Sequence, residues 1–256
     1  MKKWKCLLAL LIMASGCTAQ PQPTPSSEPA PDTAGLTQTA DQLAEMLVSQ
    51  LGAASVQYAL MDGDTVLVSG QRGVFAKGSD RALSADDQYA IGSVSKMFTA
   101  AAVMKLQEEG KLKLDQPVAE LLPEFTMADE RYSEITVRML LNHSAGLPGS
   151  TFDEGFVFAP GTTAHDTFLE RLKTMRLQAD PGAYSVYSND CYVLAELVVE
   201  KVSGQDFTSY LRSQFLEPLG MSRTQTPVEN VDFSAMPKVY SASQPEREIP
   251  ADIVSV

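Results

Sequence analysis

Apolar positions along this chain recur with two different periods. In residues 37–50, Leu43, Met46, Leu47 and the following Leu51 fall on one stripe at helical spacing. Residues 55–61 and 65–69 alternate instead, on either side of Asp62-Gly63-Asp64, which predicts a β-hairpin. Helical spacing returns over residues 93–109, where Val94, Met97, Phe98, Ala101, Ala102 and Leu106 recur and Gly110 ends the run. Residues 136–142 predict a short helix that runs into the loop Ser144-Ala145-Gly146-Leu147-Pro148, and residues 163–177 predict a further helix. Pro181-Gly182 opens a turn, residues 189–202 form a helix stopped by Gly204, and Asp206 caps a last helix reaching Phe215 before Pro218-Leu219-Gly220. One helix, a hairpin and then many helices predict an α+β fold, with an antiparallel sheet packed against a mostly helical region, and exclude a doubly wound parallel sheet.

The N-terminus has a different character. Lys2, Lys3 and Lys5 form a positive segment, followed by an apolar run over residues 7–13 that is too short to span a membrane. Ala14-Ser15-Gly16-Cys17 resembles a lipoprotein processing site, with Ala14 where leucine is usual, and Cys17 is the expected lipidation residue. A conventional secretory signal with an incidental cysteine is the alternative, and both predict export to the extracytoplasmic side of the membrane. Residues 17–36 are rich in Pro, Ser and Thr, with Pro21, Pro23, Pro25, Pro29 and Pro31, and read as an extended linker. The expected organisation is a signal at 1–16, a linker at 17–36 and one domain at 37–256.

Charge and cysteine usage narrow the partners. The net charge is −12, and taking away the three positive charges of Lys2, Lys3 and Lys5 leaves −15, since residues 1–16 hold no acid. Such a surface argues against nucleic acid and anionic lipid headgroups. Of three cysteines only Cys191 lies in the domain, so no disulfide is expected within it. His143 and His165 with one cysteine do not make a metal site, and no cofactor is expected.

Two stretches carry candidate chemistry. Gly92-Ser93-Val94-Ser95-Lys96 opens a helix, and residues three apart share a helix face, so the Ser93 hydroxyl lies beside the Lys96 amine. A serine hydroxyl needs a neighbouring base to act as a nucleophile. A lysine serves as that base only where desolvation or nearby positive charge favours its neutral form, and Val94, Met97 and Phe98 are placed to supply burial. A helix start with a solvated lysine is the plainer reading of the same residues. The second stretch is Tyr187-Ser188-Asn189, on a turn feeding a helix. A tyrosine near an ammonium can shuttle protons, and an asparagine amide can bind a substrate amide; a core tyrosine beside an N-cap asparagine is the plainer reading.

Taken together, these stretches resemble the serine β-lactamase and penicillin-binding protein superfamily, in its class C and DD-peptidase-like branch. The matching residues are Ala90-Ile91-Gly92-Ser93-Val94-Ser95-Lys96, Leu140 to Pro148 with Asn142-His143-Ser144-Ala145-Gly146, Pro181-Gly182 through Tyr187-Ser188-Asn189, Val202-Ser203-Gly204, and Pro218-Leu219-Gly220-Met221. The resemblance spans the chain from about residue 40 onward. It implies a β-lactamase/transpeptidase-like fold and an acyl-enzyme at Ser93. Lys96 would help take the serine proton, and Tyr187 would exchange protons with Ser93 and the leaving group. Asn189 would bind the substrate amide, and the Ser93 backbone N–H would be one oxyanion donor. The middle motif is Tyr-x-Asn, so no glutamate base is expected. His143 is expected to be structural, and Cys191 a small helix residue. The superfamily's third motif, a Lys- or His-containing triad ending in glycine, has no counterpart here, and the resemblance places it on a strand beyond Val256. The chain is therefore expected to be an N-terminal portion, with C-terminal strands missing. The implied activity is a serine hydrolase acting on β-lactams, D-Ala-peptides or esters. The alternatives are a β-lactam-binding sensor that acylates without turnover and an inactive scaffold lipoprotein. The expected partners are a small-molecule or peptidoglycan-peptide substrate and, through a lipid anchor, a membrane.

Overall fold

The structure is a computed structural model that describes residues 33–148, 164–226, 232–241, 243–244 and 246–249. The expected signal, most of the linker and Cys17 lie outside the described residues.

The first layer is a helix laid on a hairpin. Helix α1 (Thr33–Ser49) packs against strands β1 (Ser55–Asp62) and β2 (Thr65–Gly73), which pair antiparallel around Gly63. The register shifts between Leu60 and Met61, a bulge that bends the strand next to the turn. Strand β2 runs four residues past the expected end at Ser69. Asp41 of α1 ties the layers together: it pairs with Arg72 of β2 at 2.7 Å and accepts a hydrogen bond from the Tyr58 hydroxyl of β1. Only Ala44 of α1 and Val68 of β2 are buried in this layer, whereas Leu43 and Leu51 of the expected stripe are 53% and 70% exposed.

The second layer is helical and holds the core. A 3-10 turn at Gly92–Ser95 continues into α2 (Lys96–Glu108), and Gly110 ends it at φ +71°. Next come α3 (Val118–Leu121), α4 (Val137–Leu141) and α5 (Ala164–Lys173). Helix α6 (Asn189–Ser203) follows, closed by Gly204 at φ +71°, and then α7 (Phe207–Leu211), which runs on into a π-helical turn at Arg212–Leu216. Asp206 caps α7 by accepting from the Ser209 N–H at 2.9 Å. Helices α2 and α6 pack on each other, and α4 packs on α6. Ala102, Val103 and Leu106 of α2 meet Leu194, Ala195, Val198 and Val199 of α6 in one cluster, all fully buried. Each buried Leu or Val side chain contributes about 1.5–3 kcal/mol of transfer free energy.

The buried face of α2 is not the one its start suggests. Thr99, Ala102, Val103 and Leu106 face inward, while Val94 and Met97 are 57% and 60% exposed. The side that meets α6 sets the core face, so Val94 and Met97 do not bury Lys96; Phe98 alone of the three packs on the core. Past the helices, β3 (Val239–Tyr240) pairs antiparallel with β4 (Glu248–Ile249) as a separate two-stranded ribbon.

Candidate active site

The site begins with the 3-10 turn. At about three residues per turn, side chains at i and i+3 eclipse. Ser93 and Lys96 therefore stack, and Lys96 Nζ donates to Ser93 Oγ at 3.1 Å. Ser93 is exposed and Lys96 half-buried, so the hydroxyl is open to an incoming substrate.

The rest of the site arrives through a loop bound to a distant segment. Thr136 caps α4, and the chain then turns through residues 142–148. That loop is fastened to residues 178–188 by backbone hydrogen bonds. The Ser144 carbonyl accepts from the Gly182 N–H at 2.7 Å, and the Gly146 carbonyl from the Gln178 N–H at 2.9 Å. The His143 carbonyl accepts from the Val186 N–H at 2.9 Å. Ser185 Oγ donates to the Asn142 carbonyl at 2.8 Å. Gly146 is required for this approach: its φ is +75°, and a Cβ there would lie 2.4 Å from the Ala179 carbonyl oxygen. The fastened segment delivers the Tyr187 hydroxyl to Ser93, where it donates to Oγ at 2.6 Å. Buried Ser188 precedes α6, and Asn189, its first residue, accepts from Lys96 Nζ at 2.8 Å through Oδ1. The next residue, Asp190, is buried and paired with Arg171 of α5 at 2.8 Å, which holds the first turn of α6 in place.

Electrostatics concentrate on Lys96. Besides Ser93 and Asn189, its ammonium lies over the rings of Tyr187 at 5.0 Å and Tyr192 at 5.6 Å. Burial pushes the Tyr187 phenol up, but hydrogen bonds with Lys96 and Ser93, together with the lysine charge, outweigh it and hold the phenol below its ordinary value. Burial and the Lys96 charge hold the His143 imidazole below its ordinary value. Its ring stacks on Tyr187 at 4.6 Å and on Tyr192 at 5.1 Å, between centroids. Burial pushes the Cys191 thiol up to about 12, so it carries no thiolate near neutral pH and serves as core packing. His165 lies elsewhere, on α5 against Glu196 and Glu200 of α6.

Of the residues picked out in the sequence, Lys96 and Tyr187 thus meet at the Ser93 hydroxyl and Asn189 joins them through Lys96, while Cys17 lies outside the described residues. Sequence reasoning missed Tyr192, whose ring flanks Lys96 and whose hydroxyl donates to the Leu141 carbonyl at 2.9 Å. The signal was its place three residues after Asn189, on the same face of α6. A hydroxyl in contact with a phenol and with an ammonium that an amide also holds is an arrangement that can support covalent acyl transfer.

Comparison with known proteins finds a family match over most of the chain. The model of the family described as Beta-lactamase matches residues 36–254. Penicillin-binding protein 4 of Amycolatopsis lactamdurans is 32% identical over 164 residues, covering 63% of this chain and 42% of that protein. A D-stereospecific amidohydrolase from Streptomyces sp. superposes with a TM-score of 0.60 at 31% identity, over 72% of this chain and 54% of that one. A beta-lactamase/D-alanine carboxypeptidase from Yersinia pestis superposes with a TM-score of 0.62 at 26% identity, over 72% and 53%. The matched region thus spans about half the length of these relatives.

Proposed function

The chain belongs to the Beta-lactamase family and has its α+β fold, and on that premise we propose that it is a serine hydrolase forming an acyl-enzyme at Ser93. The observation that carries the reading is the Ser93 hydroxyl, held at 2.6 Å from the Tyr187 hydroxyl and 3.1 Å from the Lys96 ammonium. Ser93 Oγ attacks the substrate carbonyl carbon while its proton passes to the Tyr187 oxygen, which accepts it in the phenolate form that the Lys96 ammonium stabilises. The carbonyl oxygen becomes an oxyanion beside the Ser93 backbone N–H at the start of the helical segment. As the C–N or C–O bond breaks, Tyr187 protonates the leaving nitrogen or oxygen, and an ester to Ser93 remains. A water then attacks that ester, its proton goes to the same oxygen, and the acid product leaves as Ser93 regains its proton. Asn189, held by Lys96, offers its amide to the substrate amide.

The names of the relatives support a substrate class. Two of them are named for D-stereospecific amide hydrolysis and D-alanine carboxypeptidase activity, which supports amides next to a D-residue, with β-lactams and esters as further acyl donors. The likeness to a penicillin-binding protein gives weight to a second reading, acylation that stalls before hydrolysis.

The full-length protein incubated with a fluorescent penicillin or an activated serine probe tests both. Ser93→Ala is expected to abolish labelling. A burst of acylation followed by turnover supports the hydrolase, and a burst alone supports the binding module. Labelling that survives Ser93→Ala would end the assignment, and no labelling of the wild type favours an inactive scaffold. We also propose that the protein is exported and anchored through Cys17, on the strength of Lys2, Lys3, Lys5 and the short apolar run. Mass spectrometry of the mature N-terminus checks this: an unmodified Cys17, or a cut elsewhere, refutes the anchor.

A further inference from the structure

We propose that His143 is a positioning residue for the acid–base tyrosine, fixing Tyr187 against Ser93 through its left-handed backbone, its carbonyl, its ring and Nδ1. This rests on the reading of Ser93 as nucleophile and Tyr187 as proton carrier.

Among the described residues, His143 is the one non-glycine with a positive φ, +60°. That region is sterically costly for an L-residue with a side chain, and such costs recur where a site needs a fixed geometry. The conformation lets one residue hold both neighbours of Tyr187. The His143 carbonyl accepts from the Val186 N–H at 2.9 Å, and its Nδ1 accepts from the Ser188 N–H at 3.2 Å. Tyr187 lies between those two bonds. Its ring then rests on the imidazole at a centroid distance of 4.6 Å, tilted by 39°. The imidazole also lies 5.1 Å from the ring of Tyr192, itself anchored through its hydroxyl to the Leu141 carbonyl. Backbone on both sides and a stacked ring leave the phenol little freedom to swing from Ser93.

The arrangement requires a neutral imidazole. Nδ1 accepts the Ser188 N–H only while it carries no proton. The charged or titratable groups facing the ring are Lys96 from α2, Tyr187 from the turn and Tyr192 from α6. A protonated ring would lose the Ser188 bond and bring a second positive charge toward Lys96. Burial and that same lysine act against protonation.

The test uses full-length protein and a double-mutant cycle with Tyr187→Phe. His143→Asn keeps a residue that tolerates the left-handed region and can offer an acceptor oxygen, but loses the ring. His143→Phe keeps a ring but loses the acceptor. Stopped-flow acylation by nitrocefin or a fluorescent penicillin gives the acylation rate constant and the dissociation constant of the first complex, and thermal melts confirm folding. Both variants are expected to lower the acylation rate by at least about ten-fold while leaving the dissociation constant unchanged. In the Tyr187→Phe background, His143→Asn is expected to slow acylation by less than about two-fold, because it acts through the missing phenol. A folded His143→Asn protein that acylates at the wild-type rate, or losses that multiply in the double variant, overturn the proposal. If Ser93→Ala abolishes labelling and Tyr187→Phe slows it while the His143 variants match wild type, this inference alone fails. If Ser93→Ala still labels, the underlying reading fails with it.

Discussion

Replacing Tyr187 by Phe separates chemistry from architecture at this site. The substitution removes one oxygen, which donates to Ser93 Oγ at 2.6 Å. The ring that remains keeps its stacking on His143 and its place under the Lys96 ammonium. Tyr187 is 51% exposed and Ser93 is exposed, so the loss leaves no buried polar group without a partner. Stability should therefore change by less than about 0.5 kcal/mol, as for surface substitutions. Catalysis should change far more. A positioned general acid–base group contributes about 10²- to 10⁴-fold, or about 3–5 kcal/mol of barrier. The acylation rate of Tyr187→Phe in the full-length protein should fall by that factor, while the melting temperature stays within about 2 °C of wild type. The pH profile adds an independent check. Against the upward push of burial, the phenol is held below its ordinary value of 10.0 by its hydrogen bonds with Lys96 and Ser93 and by the lysine charge, so the phenolate fraction rises with pH and reaches its midpoint earlier than in a free tyrosine. Wild-type acylation should rise with that fraction and then level, and the rise should vanish in Tyr187→Phe. An unchanged acylation rate in a folded Tyr187→Phe protein would refute the assignment of the phenol as proton carrier.

Two further outcomes concern stability. Gly146→Ala must place a Cβ 2.4 Å from the Ala179 carbonyl at φ +75°, so denaturant titration should show a loss of about 1–2 kcal/mol from the backbone alone and more from the overlap; a wild-type midpoint refutes the close approach. The side-chain hydrogen bond with Glu196 raises the His165 pKa, against burial and with help from the Glu200 and Asp166 charges. That stabilisation is fully present below the unfolded value of about 6.5 and fades as pH rises through the higher folded value. His165→Gln should destabilise the protein more at pH 6 than at pH 9, and an equal loss at both refutes the pairing.

What was legible in the sequence was local. Helical spacing and Gly110 marked α2, alternation around Asp62-Gly63-Asp64 marked the hairpin, and Gly204 and Asp206 marked the junction of α6 and α7. A three-residue separation was enough to place Lys96 beside Ser93, because neighbours in the first turn share a face whatever the rest of the chain does. These features depend on backbone geometry within a few residues, so a linear text records them.

Tertiary structure decided which faces are covered and which distant groups meet. An apolar stripe states that a helix has an apolar side, not what lies against it. Leu43 of α1 and Leu51 just past it stay exposed beside a two-stranded sheet, and Val94 and Met97 turn outward because α6 meets α2 on the Ala102–Leu106 side. The residues alone left Tyr187 open between core packing and catalysis, and the resemblance supplied its expected role. Its distance from Ser93 depends on hydrogen bonds that fasten residues 142–148 to 178–188. His143 gave no signal of its unusual backbone, since a left-handed residue is selected by the bonds that it completes after the chain has closed. Contacts between residues some 30 to 95 positions apart are set by packing and by pairing of backbone groups, and neither leaves a period in the sequence.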